Sequence, residues 1–196
     1  MVILWKLQGY SNCFLLQPST NMPLNRHPDF LEPEVLNGLR QKFQNARGTP
    51  SFEVNNMGRW GAGLETGSYA PVLILQLPEY RQYFLDKYCA MNPVFEEYQN
   101  LTVYMHIWLP GSQINWHHDQ SDTTPRLSST IYINEAWNWN WGGLFVYDDP
   151  IEGKGWEFPH SNYMIWFQPP LWHATTMVSM AAEYPRLSVQ CFFNKA

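Results

Sequence analysis

From Leu101 onward the chain is a series of short strand-like runs broken at close intervals by turn residues. This texture constrains the fold more than any other feature. Residues 102–108 are β-branched and aromatic and stop at Pro110-Gly111. Residues 128–134, 143–147, 164–167 and 187–193 repeat the pattern, separated by Pro125, Gly142, Asp149-Pro150, Gly153, Gly155, Pro169-Pro170 and Pro185. β-branched and aromatic side chains suit a pleated, half-buried surface, whereas Pro and Gly interrupt ladders. Many short strands so punctuated predict a β-sandwich or barrel.

The first hundred residues read differently. Residues 17–28, rich in Pro, Asn and Ser, predict an exposed loop. Asp29-Phe30-Leu31-Glu32-Pro33 opens a helix, with Pro33 in the first turn, where its missing N–H costs nothing. Leu36, Leu39 and Phe43 follow at helical spacing until Gly48 and Pro50. Gly58, Gly61, Gly63 and Gly67 predict a loop. Residues 78–90 predict a second helix carrying Tyr80, Phe84 and Tyr88, and 93–98 a short third. At 196 residues the chain suits one domain, 1–196, with helical support and loops over 1–100 and a mainly β core over 101–196.

Composition narrows the partners. Hydrophobic residues make up 45% and charged residues 15%, as in a folded protein. The net charge is −5, and the twelve basic residues are scattered, which argues against nucleic acid, because phosphate binding uses clustered cations. One Arg still suffices for a small anion. Cys13, Cys89 and Cys191 are too few and too far apart for a disulfide framework, so a reducing, cytoplasmic setting is expected. The apolar start at Met1 is too short for a secretion signal, and no stretch approaches the ~20 apolar residues of a membrane span. Nothing in the sequence speaks to oligomeric state.

The chemistry concentrates in a few residues. His117 and Asp119 stand two apart; on a strand such positions share a face and can grip one metal. His173 lies 56 residues later, so the fold has to return it to the same point. Two imidazoles and a carboxylate form a facial triad that leaves half of an octahedral Fe(II) open to a co-substrate and O₂. An HxD pair alone is a weak signal. Arg186, thirteen residues after His173, strengthens it: a guanidinium entering an apolar strand needs an anion, and its fork matches a carboxylate. Ser188 shares its face, and the Tyr132 phenol could reach the same carboxylate. That set would receive 2-oxoglutarate.

Taken together, Trp116-His117-His118-Asp119, residues 126–134 ending Tyr132-Ile133-Asn134, Trp141-Gly142-Gly143-Leu144, His173 and Arg186-Leu187-Ser188 resemble the prolyl 4-hydroxylase-like Fe(II)/2-oxoglutarate dioxygenases. The resemblance covers residues 101–194, about half the chain, with five elements in the family's order. It implies a double-stranded β-helix (a jelly-roll, cupin-like fold) with N-terminal helices. It also implies iron ligation by His117, Asp119 and His173, and co-substrate contacts from Arg186, Ser188 and Tyr132. The implied reaction consumes O₂ and 2-oxoglutarate, with ascorbate admitted as an accessory reductant. It hydroxylates a prolyl residue of a protein or peptide first, a free amino acid or small metabolite next. Arg186 stands where collagen-type members carry Lys, and residues 181–185 read as an insertion. Asp119 argues against the related halogenases, which lack that carboxylate.

Plainer readings apply to the rest. His118 should face away from the triad, and His106 reads as a core histidine. His27 and His160 fall in predicted loops, and Asp148-Asp149 in a turn. Arg126 suits either the cleft mouth or a solvated surface, and the tryptophans mostly suit the core or its rim. Two rival functions are a cupin-type metal dioxygenase without 2-oxoglutarate and a β-sandwich holding structural zinc. The second is weak, because structural zinc takes four ligands, often Cys, and no Cys is near the triad in sequence.

Overall fold

The computed structural model describes residues 24–46, 57–58, 72–119, 126–168 and 170–195. Met1, Cys13, Gly48, Pro50, Gly61, Gly63, Gly67, Pro125 and Pro169, which carried expectations above, lie outside them. The strands are β1 (Asn25–His27), β2 (Met57–Gly58), β3 (Val72–Gln76), β4 (Asn100–Trp108), β5 (Ile114–His117) and β6 (Arg126–Tyr132). They continue with β7 (Phe145–Asp149), β8 (Gly153–Glu157), β9 (Tyr163–Phe167), β10 (Trp172–Thr175) and β11 (Arg186–Asn194). Helix α1 spans Pro33–Ala46 and α2 spans Arg81–Met91; short 3₁₀ turns occupy Pro78–Tyr80, Pro93–Glu97 and Trp139–Trp141. The result is a double-stranded β-helix.

Among the described residues, eleven strands form two antiparallel sheets. The larger runs β1-β9-β6-β11-β4-β3-β2 and the smaller β5-β10-β7-β8. Period-two alternation gives the larger sheet two different faces. On the back, Leu101, Val103, Met105 and Ile107 of β4 join Leu187, Val189, Cys191 and Phe193 of β11 in a core with Leu39, Phe84, Tyr88 and Phe95. Its centre is aromatic: Tyr88 and Phe95 each lie 4.8 Å from the Phe193 ring, and Phe95 meets Trp166 edge-on at 5.0 Å. α1 presents Leu36, Leu39 and Phe43 to this core, as their spacing predicts. Its first turn is closed by Leu36 N–H donating to the Glu32 carbonyl at 3.0 Å. On the front face, Tyr132, Ile165 and Phe167 pack against Phe145 and Tyr147 of the smaller sheet.

Some expectations need correction. Residues 25–27 are not loop: they pair with β9 at the sheet edge, and Trp166 Nε1 donates to His27 Nε2 at 3.4 Å. Gly58 belongs to a two-residue strand on β3. Neither stretch is long enough to show a period, so only the partner strand reveals it. Asp149 ends β7, buried, and its carboxylate accepts from the N–H groups of Ile151 and Glu152 at 2.7 and 2.8 Å; the turn follows it. β8 contains two glycines for a steric reason at one of them. A Cβ on Gly155 would sit 2.3 Å from the Tyr147 hydroxyl. Four tryptophans, Trp116, Trp139, Trp156 and Trp172, are exposed and not core.

Candidate metal and co-substrate site

β5 and β10 pair so that His117 and His173 stand directly opposite each other, their rings 4.2 Å apart. That register closes the 56-residue gap between them. β5 ends at His117, so Asp119 lies just beyond the strand, yet its Oδ1 is 3.7 Å from His117 Nε2 and 3.8 Å from His173 Nε2. One donor atom from each of the three residues falls within 4.8 Å of the others, a spacing that one ion with bonds of about 2.1 Å spans after small inward rotations.

The two imidazoles are pre-set for such a role. Nδ1 of His117 bonds the Asn115 carbonyl at 2.8 Å and Nδ1 of His173 bonds the Leu171 carbonyl at 2.9 Å. Each Nδ1–H is therefore the donor, and each Nε2 lone pair is turned towards Asp119. Burial holds His173 down to about 4, against the pull of Asp119, so this imidazole is neutral, the form that binds metal. Phe145 stacks on the His173 ring at 5.0 Å and Phe167 meets it edge-on at 5.0 Å, which locks its orientation and keeps water from that side. His118 is not part of the cluster; its ring sits edge-on to Trp172 at 5.0 Å.

A cleft leads from this cluster to Arg186, the first residue of β11. Arg186 is 1% exposed, and no carboxylate among the described residues pairs with it, Glu183 included. Its guanidinium carbon lies 5.2 Å from the Trp108 ring centre and 4.9 Å from that of Tyr132. Nε and Nη1 of Arg186 and the Tyr132 hydroxyl have no partner in hydrogen-bonding geometry among the described residues. Burial raises the Tyr132 phenol to about 12, with Arg186 opposing the rise, so it remains a donor. A buried, uncompensated cation beside a buried phenolic O–H is the complement of a carboxylate.

Ser188 is fully buried between them; its hydroxyl accepts from Trp108 Nε1 and Gln190 Nε2, both at 3.3 Å, leaving its own O–H to donate. The motif Gly142-Gly143 shapes the rear of this pocket. Both residues have positive φ, and a Cβ on Gly142 would strike the Met177 carbonyl at 2.2 Å, one on Gly143 the Arg186 Cδ at 2.8 Å. The second glycine exists to let the Arg186 stem pass.

The sequence did not single out Trp108, Thr130 or Gln190, which also line the cleft. A signal was available: each lies an even number of positions from a residue already chosen on its own or the paired strand, Thr130 from Tyr132 and Gln190 from Arg186. His106, expected to be a core histidine, is buried but faces this cleft. Arg126 does not line it; its guanidinium lies over Phe192 at 5.4 Å and its Nε donates to Asn194 Oδ1 at 3.1 Å.

Comparison with known proteins bears on the family and the fold. A model of the 2OG-Fe(II) oxygenase superfamily matches residues 100–194. No curated protein matches the chain in sequence. Among solved structures, a prolyl-4-hydroxylase from Pseudomonas putida superposes with a TM-score of 0.68 at 16% identity, over 88% of this chain and 92% of that one. A prolyl hydroxylase from Trichoplax adhaerens, bound to a hypoxia-inducible-factor peptide fragment, gives 0.71 at 13%, over 88% and 83%. The viral collagen prolyl hydroxylase of Paramecium Bursaria Chlorella virus-1, in a 2-oxoglutarate complex, gives 0.59 at 14%, over 88% and 96%. Those likenesses establish a shared fold.

Proposed function

We propose that this chain is a dioxygenase of the 2OG-Fe(II) oxygenase type, with Fe(II) and 2-oxoglutarate as cofactor and co-substrate, which hydroxylates prolyl residues of a protein or peptide and uses His117, Asp119 and His173 to hold iron. The observation that carries the reading is Arg186, a buried cation with no acidic partner among the described residues, in the same cleft as three metal-competent donors. Neither a cupin-type enzyme without 2-oxoglutarate nor a structural zinc module gives that cation anything to bind.

Bound at this site, iron with 2-oxoglutarate and O₂ supplies the oxidising chemistry, releasing succinate and CO₂ and adding one oxygen atom to a C–H bond. The chain's own residues do the rest. Arg186 and Tyr132 take the distal carboxylate, the first by charge and the second by its phenolic O–H, and Ser188 adds the one proton it has free. The charges then cancel: Fe(II) and Arg186 against Asp119 and the dianionic co-substrate. Phe145 and Phe167 fix His173 and exclude water from its flank. Free amino acids and small metabolites are the next substrate class, and a protein or peptide is favoured by the peptide-bound neighbour.

The test is an anaerobic titration of Fe(II)-loaded protein with 2-oxoglutarate, following the visible metal-to-ligand charge-transfer band. A band in the wild type, lost in His173→Ala and titrating at higher concentration in Arg186→Ala, is expected. Folded, iron-loaded wild type without a band sinks the reading. Turnover against proline-containing peptides and free amino acids, read by mass for one added oxygen, then separates the substrate classes.

A further inference from the structure

We infer that His106 is a positioning residue for 2-oxoglutarate, its imidazole hydrogen-bonding the co-substrate between the metal donors and Arg186. The inference rests on the function proposed above and concerns a side chain that neither the triad nor the Arg186 anchor uses.

Strand register sets its place. On β11, Arg186 pairs with Trp108 of β4, and the next inward-facing rank pairs Ser188 with His106. The rank after that pairs Gln190 with Thr130 of β6. Further along, Phe192 pairs with Ser128, which pairs with Phe167, the ring that touches His173. His106 therefore stands one rank in from the Arg186 end, on the way to the metal donors, and it lines the cleft they share. Its ring is held between those of Tyr104 and Trp108, each 6.2 Å away, and it is 3% exposed.

The chemistry of the cleft points the same way. One wall is apolar, formed by Phe145 and Phe167 around His173. The other is polar: Thr130 Oγ1 donates to Gln190 Oε1 at 2.7 Å, Gln190 Nε2 donates to Ser188 Oγ at 3.3 Å, and His106 stands beside them. A dianion lying along the cleft turns its oxygens to that wall. Burial and the Arg186 charge push His106 down to about 3, so it is neutral whenever the protein is folded at ordinary pH. A neutral imidazole offers hydrogen bonding without disturbing the charge balance of iron, Asp119, Arg186 and co-substrate. A Lys in its place would add a charge, and a Leu would present hydrocarbon to the ligand's oxygens.

The experiment compares wild type, His106→Leu and His106→Gln as Fe(II)-loaded proteins, titrated anaerobically with 2-oxoglutarate. A second readout is the thermal shift given by N-oxalylglycine with Mn(II), which needs no turnover. His106→Leu should bind 2-oxoglutarate about tenfold more weakly, the weight of one hydrogen bond to a charged group, with the charge-transfer band displaced. His106→Gln, which keeps a donor and an acceptor, should recover most of the affinity. If His106→Leu does not fold, His106→Met takes its place and is judged alike. Apolar variants with wild-type affinity and band position overturn the inference while leaving the proposed function standing. A wild type with no band overturns both.

Discussion

Replacing Gly143 by Ala tests how the pocket around Arg186 is built. Gly143 has φ +66°, a region that costs an L-residue about 1–2 kcal/mol. The new Cβ would lie 2.8 Å from Arg186 Cδ, so the stem has to retreat by roughly 0.6 Å to reach an ordinary contact of 3.4 Å. It has nowhere to go without cost: the side chain is 1% exposed and flanked by the Trp108 and Tyr132 rings. The displacement passes to the guanidinium, and binding geometry tolerates only about 0.5 Å. Loss of one charged hydrogen bond then weakens 2-oxoglutarate about 10- to 100-fold. Backbone strain alone lowers the melting temperature by roughly 2–8 °C in a chain of this size. Gly153→Ala is the control, because Gly153 has φ +82° but its added Cβ meets nothing within 4 Å. Calorimetry of apo proteins and anaerobic titration of the iron forms supply the two quantities. Both variants should lose stability, and only Gly143→Ala should lose affinity. Equal 2-oxoglutarate affinities in the two would refute the steric argument.

Three further outcomes are expected. Arg186→Leu removes a buried cation that has no carboxylate partner among the described residues, so the apo melting temperature should not fall, while stabilisation by 2-oxoglutarate with Mn(II) disappears in differential scanning fluorimetry. His106, held at about 3 against 6.5 in an unfolded chain, binds its proton more readily unfolded. Its contribution to stability is therefore complete above pH 6.5 and lost as pH falls towards 3, at up to about 1.4 kcal/mol per pH unit. Urea unfolding at successive pH values should show a shallower acid slope in His106→Leu; an unchanged slope counts against it. Arg26 ties β1 to the β7–β8 hairpin through Glu157 at 2.7 Å, Glu152 at 2.7 Å and the Tyr147 hydroxyl at 2.8 Å. Arg26→Met should cost about 1 kcal/mol, seen first as faster amide exchange in β7 and β8, and uniform exchange across the sheets would contradict it.

Local patterning carried much of the fold. Leu36, Leu39 and Phe43 announced α1, and the β-branched and aromatic runs announced β4, β6, β9 and β11, because the period of apolar residues is a local property. The presence of a helical half and a strand-rich half, and the chemical types needed for a metal and a carboxylate, were also legible. β1, β2 and β10 were not, since strands of two to four residues exist only through the neighbours that pair with them. Nor could spacing say that His117 faces His173, which the β5–β10 register decides, or that Arg186 has no acid paired with it among the described residues, which depends on the side chains packed around it. The same holds for His106. Its residue type and its strand are local facts, but only the packing of two sheets turned its side of β4 into the wall of a cleft. Sequence sets which groups a strand offers and on which side; tertiary pairing decides which of them share a space, because that depends on contacts between positions far apart in the chain.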